Sequence, residues 1–306
     1  MSSVLKLSCF SYKGGAGRST LAMNIVPYLA DALGASEERP LVLVDMDVDS
    51  CGITYFLNLH NFVTDAEKRF IVQKLFGSDG VVPQEDEEIS PKDHKLFSHL
   101  RGVGRFFNYP DRAILCLPAM QGASLGEAGT NYDKTTPPQL GTFLDECEEH
   151  DICCVLFDSA VGDQPTARWS NHFADKILCC LRPTEQFREG TSRFFDTFDE
   201  KSEHGKSIIV IPNVVPTDPL VIQEEEGLMH YPEHAKEKIR EVFKSNIENG
   251  LNNYDMSMLE GDCFGVPKID RFMWHESVLR TAPDLKENER DALQSYKKIV
   301  DIIMGK

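Results

Sequence analysis

Lys13-Gly14-Gly15-Ala16-Gly17-Arg18-Ser19-Thr20 stands between an apolar run, Val4–Phe10, and a helical pattern, Ser19–Leu33. Glycines let a backbone turn tightly and bring its N–H groups onto phosphate oxygens. The start of the helix adds positive dipole character at the same place. Ser19 offers a hydroxyl where phosphate loops ligate Mg2+. The stretch reads as a phosphate cradle. Gly14, Gly15, Ala16, Gly17, Arg18, Ser19 and Thr20 are its candidate binding residues.

Outward from this loop, short apolar runs alternate with helical patterns. Val4–Phe10, Leu41–Val44, Ala113–Leu117, Ile152–Phe157, Lys176–Leu181 and Ser207–Ile211 are continuous apolar runs, as strands covered on both faces must be. Ser19–Leu33, Ala66–Phe76, Pro138–Glu149, Gly190–Lys201, Glu233–Asn249 and Lys286–Met304 read as helices. Alternating β and α units predict an α/β fold, a doubly wound and mostly parallel sheet with helices on both faces. No composition break divides the 306 residues, so a single domain over 1–306 is expected. Gly77–Lys95, Gln121–Pro138 and Thr217–Tyr231 are polar and read as surface insertions.

The formal net charge of −17 works against binding a phosphate backbone or an anionic membrane. DNA is therefore not favoured as a partner. No apolar run reaches the length of a transmembrane helix. The opening residues break into Lys and Gly too early for a secretory signal, so a cytoplasmic location with nine reduced cysteines is expected.

The second strand ends in Val44-Asp45-Met46-Asp47-Val48-Asp49, and carboxylates at a strand's C-terminal end face the ligand crevice of such a sheet. An EF-hand reading fails, because Phe56 stands where a Glu is required. The run Ile152–Phe157 ends at Asp158 and continues Ser159-Ala160-Val161-Gly162. A hydrophobic strand ending in Asp suits a carboxylate acting on a water ligand of Mg2+.

These motifs together resemble the ParA/MinD family of P-loop ATPases, whose deviant Walker loop reads K-G-G-x-G-K-[ST]. The resemblance runs from Val4 to about Pro283. It implies ATP and Mg2+ as cofactors and a homodimer formed on ATP binding. Lys13 matches the lysine that crosses to the partner's nucleotide, and Asp47 the residue that orients the attacking water. Ser19, Asp45 and Asp158 match the metal-site residues. Asn213, after Ile209–Pro212, and Pro267, in Gly265–Ile269, match the segments that contact the purine ring. Ala174-Asp175-Lys176 and Arg182-Pro183-Thr184 match a further strand of the family. No N-K-x-D element supports guanine, so adenine is preferred.

Arg18 departs from the family at the in-loop lysine. It keeps the charge but places it in a planar fork. Two readings follow. One is a slow, dimerising ATPase that switches an activating or effector protein in partitioning, positioning or regulation. The other is an ATP-binding scaffold with little or no hydrolysis. A ligase like the dethiobiotin-synthetase relatives is a third class, but those lack the lysine at the Lys13 position.

Other candidates are set aside. Cys153-Cys154 and Cys179-Cys180 lie in strands without C-x-x-C spacing and read as small buried hydrophobes. His230 and His234 lack a third ligand and read as a surface pair. Arg101–Arg105 is too short for a nucleotide fingerprint and reads as a loop. The last helix turns Leu293, Tyr296, Ile299, Val300 and Ile303 to one face. Its acidic residues favour packing on the sheet over membrane anchoring.

Overall fold

The computed structural model describes residues 3–62, 96–119, 138–201, 205–217, 231–260, 264–273 and 277–306. The expected helix Ala66–Phe76, most of the three polar insertions and His230 lie outside the described residues.

Eight strands form one sheet: β1 (Leu5–Ser11), β2 (Leu41–Asp45), β3 (Arg101–Gly102), β4 (Ile114–Leu117), β5 (Cys154–Val161), β6 (Lys176–Leu181), β7 (Ser207–Pro212) and β8 (Asn253–Asp255). Their order is β3-β4-β2-β5-β1-β6-β7-β8. Every pairing is parallel except β3 with β4. Eight helices are described: α1 (Arg18–Leu33), α2 (Gly52–Phe56), α3 (Pro138–Glu149), α4 (Pro165–Phe173), α5 (Glu185–Lys201), α6 (Tyr231–Val242), α7 (Lys244–Asn249) and α8 (Glu287–Ile303).

Strand alternation distributes the core to two faces. Leu7, Cys9, Leu41, Leu43, Cys154 and Leu156 pack with α1 and α8. Val42, Val44, Val155 and Phe157 face α3, while Phe10, Ile177, Cys179 and Val210 face α5 and α6. Successive strand residues point to opposite faces, so a strand buried on both sides must be apolar throughout. Helix α8 buries Tyr296, Ile299, Val300 and Ile303 in the α1 side of the core, with Leu293 partly buried beside them. Among the described residues, no helix is long and apolar enough to cross a membrane.

Six parts of the chain differ from the sequence-based expectation. Arg101–Gly102, expected in a loop, forms the antiparallel edge strand β3. The helical stretch Glu233–Asn249 divides at Phe243, which is wholly buried against the α5 side of the core. Helix α5 begins at Glu185, five residues before the expected Gly190. Helices α2 and α4 and strand β8 carry too few apolar residues to register as periodic patterns.

Candidate functional site

The glycine loop joins β1 to α1 over the C-terminal ends of the central strands. Gly15 and Gly17 have φ of 80° and 78°, a region that side chains disfavour. A Cβ on Gly17 would also lie 2.9 Å from Nδ2 of Asn213. Gly17 is the N-cap of α1, and no side chain caps the helix. The first N–H groups of an α-helix lack intrahelical acceptors, so this end is open to an anion.

Asp45 and Asp158 are direct partners across the β2–β5 pairing. By alternation both fall on the α1 side of the sheet, beneath the loop. Both are almost wholly buried. Asp45 is held in place: Thr54 donates its N–H (2.9 Å) and hydroxyl (2.8 Å) to Oδ2, and the Asp47 N–H donates to Oδ1 (3.2 Å). Neither carboxylate oxygen of Asp158 has a geometric hydrogen-bond partner. Burial is the main cause pushing both carboxyls above the ordinary carboxylate range, reinforced at Asp45 by the charge of Asp158. At Asp158 the nearby Arg18 and Ser19 offset burial only in part.

Ser19 adjoins this pair. A Cβ added to Gly52 would lie 2.5 Å from Ser19 Oγ and 3.7 Å from Asp158 Oδ2, so Gly52 leaves the space between them open. Two buried, raised carboxylates, two unpartnered oxygens and a hydroxyl form a donor set of the oxygen type that Mg2+ takes. The residues present therefore fit Mg2+: Ser19 and Asp158 would hold it, with Asp45 behind them. Among the described residues, no group of three or more His, Cys, Asp or Glu could hold a metal ion by itself.

Arg18 does not point into open space. Its Nη2 donates to Asp47 Oδ2 at 2.9 Å, with both side chains almost fully buried. Its Nη1 is buried without a partner. Asp47 is also tied by Ser50, whose N–H donates to Oδ1 at 3.2 Å. Lys13 is half-buried, and its Nζ donates to Gln186 Oε1 at 3.3 Å. Thr20 is half-buried in the first turn of α1, and its carbonyl accepts from Asn24. Ala16 is buried.

Asn213 sits under the loop. Its Nδ2 donates to the carbonyls of Ala16 (2.8 Å) and Gly17 (3.2 Å), and its Oδ1 accepts from the Val214 N–H (3.0 Å). The carboxamide thus positions loop backbone. Pro267 pairs as an isolated bridge with Val215, so its segment runs beside the end of β7. The loop after Asp158 is pinned to the same corner, since the Gly162 N–H donates to the Ser11 carbonyl. Gln164 in turn donates to Asp49 Oδ2 at 3.4 Å, linking the chain after β5 to the loop after β2.

Thr54, the place of Arg182 beside Gly15 and the contact of Tyr12 with Gly190 are not legible in the sequence. Thr54 lies in a helix too short to show a pattern. Gly190 abuts the Tyr12 ring so closely that a Cβ there would overlap it. The eight described cysteines are buried and unpaired. Burial and three neighbouring carboxylates push the Cys51 thiol up to about 12, so it is no nucleophile at neutral pH.

No family model and no curated protein matches the chain. Solved structures do. The ATP complex of a Cyanothece McdA variant superposes with a TM-score of 0.64 at 14% identity, covering 100% of this chain and 98% of that one. MinD from Aquifex aeolicus gives 0.57 at 17% identity, covering 99% and 98%, and has also been solved in complex with MinC. A plasmid partition protein from Borrelia burgdorferi gives 0.54 at 14% identity, covering 99% of each chain. Across almost its whole length, the chain has the fold that this McdA, MinD and plasmid partition protein share.

Proposed function

We propose that the chain is an ATP- and Mg2+-dependent nucleotide switch that dimerises on ATP and acts on a partner protein in partitioning, positioning or regulation. The observation that carries this reading is the buried Asp45–Asp158 pair beside Ser19, directly below a glycine loop and an uncapped helix start. The fold likeness to ATP-bound McdA, and to a MinD that binds a second protein, supports it.

The loop and the α1 start bind and orient the phosphates. Ser19 and Asp158 would hold Mg2+, which would supply charge neutralisation to the phosphates. Thr54 keeps Asp45 fixed behind them. Asp47 and the Asp158–Gly162 segment, whose Gly162 N–H donates to the Ser11 carbonyl, would report nucleotide state outward. Lys13, half-buried at the loop edge, is the residue assigned to reach the second subunit.

A second reading, the ATP-binding scaffold with little hydrolysis, is favoured by one feature. Arg18 and Asp47 neutralise each other, so the in-loop cation and the expected water-orienting carboxylate are both engaged. Light scattering tests the switch: monomer without nucleotide and dimer with ATP and Mg2+, with the shift lost in Lys13→Ala. A mass indifferent to nucleotide would reject it.

A further inference from the structure

Arg182 follows β6 directly. Strand β6 runs parallel to β1 with Cys179 opposite Phe10, so the chain leaving β6 emerges beside the glycine loop. A Cβ built on Gly15 would stand 3.7 Å from Arg182 Nη2, which sets the guanidinium against the crown of the loop. The ring of Phe187 supports it, with Cζ 5.9 Å from the ring centroid. The Arg182 Nε is buried and has no hydrogen-bond partner. A buried donor without an acceptor is costly unless a ligand completes it. Meanwhile the in-loop cation Arg18 is turned into Asp47.

We propose that Arg182 is the phosphate-binding cation of this site. It acts from β6 on the triphosphate held by the loop of its own subunit, in place of the in-loop lysine. A planar guanidinium can donate two parallel hydrogen bonds to one phosphate, which suits it to bind from the side of the loop. The inference rests on the nucleotide reading of the loop.

Isothermal titration of ATP and ADP, each with Mg2+, into the full chain and its Arg182→Met and Arg182→Lys variants tests it. Methionine keeps an unbranched stem against Phe187 and removes the charge and donors. Arg182→Met should lower ATP affinity about 10- to 100-fold, the loss expected for charge-assisted hydrogen bonds. Arg182→Lys should fall between Met and wild type. The melting temperature without nucleotide should match wild type in Arg182→Lys, which shows that any loss there is not unfolding. Wild-type ATP affinity in Arg182→Met, or equal affinities in the Met and Lys variants, would overturn the assignment while leaving the nucleotide reading intact. A wild-type chain that binds neither nucleotide would overturn both.

Discussion

The Arg18 guanidinium donates to the Asp47 carboxylate at 2.9 Å, and both side chains are buried. The loop's one arginine is thereby joined to the carboxylate expected to orient the attacking water. Removing either partner leaves the other charge buried and unpaired, a loss of about 3–5 kcal/mol. Arg18→Ala and Asp47→Ala should each destabilise by that order in urea unfolding. The double variant should lose clearly less than the sum. Strict additivity would show that the pair contributes no coupling.

Arg18→Lys addresses turnover. A lysine replaces the planar fork by a single ammonium on a flexible stem, which can leave Asp47 for a phosphate. Misplacing one transition-state charge commonly costs ~10²–10³ in rate. Single-turnover hydrolysis should therefore rise well above wild type in Arg18→Lys. A slower variant would mean that the loop is adapted to arginine.

The buried carboxylates make apo stability depend on pH. Asp45 and Asp158 have folded-state pKa values raised above their unfolded values, chiefly by burial. A raised group favours the folded state when protonated. Its contribution is complete below the unfolded carboxylate pKa of about 4 and is lost as pH rises toward the folded value. Asp158→Asn removes one of these charges. The stability difference between variant and wild type should grow in the variant's favour from pH 5 to pH 8, measured by denaturant titration without Mg2+. A constant difference would contradict the burial argument.

Asn213 distinguishes a base contact from a backbone support. Its amide is engaged with the Ala16 and Gly17 carbonyls. Asn213→Ala should therefore weaken ATP and GTP binding by similar factors. A loss confined to ATP would assign the side chain to the purine instead.

Gly190 lies in α5, yet a Cβ there overlaps the Tyr12 ring at the base of the loop. Overpacking of this kind costs about 1–3 kcal/mol. Gly190→Ala should lower the melting temperature and weaken ATP binding together. The paired variant Gly190→Ala/Tyr12→Ala should recover stability relative to Gly190→Ala alone.

The readable parts of the fold are those where local pattern and burial agree. Lys176–Leu181 is legible to the residue, because every position of this central strand after Lys176 is apolar and buried. Strand β3 was not legible, since two residues, Arg101 and Gly102, carry no period. Nor was β8, whose only buried side chain is Tyr254. The loop and Asp45 announce themselves by type and by position at a strand end; Asp158 is legible as the close of an apolar run, although β5 continues past it to Val161. The engagement of Arg18 with Asp47 does not, because 29 residues separate them and only the β1–β5–β2 order brings them together. The nearness of Arg182 to Gly15 is hidden for the same reason, being made by the pairing of β6 with β1.

The most direct test of the nucleotide site is the Mg2+ dependence of ATP binding in wild type and Asp158→Ala. Calorimetry with Mg2+ should give one ATP per chain, and chelation with EDTA should weaken that binding strongly. Asp158→Ala should bind alike with and without the metal, because the two unpartnered carboxylate oxygens are what the cation needs. ATP affinity unchanged by chelation in the wild type would contradict the site described for Ser19, Asp45 and Asp158.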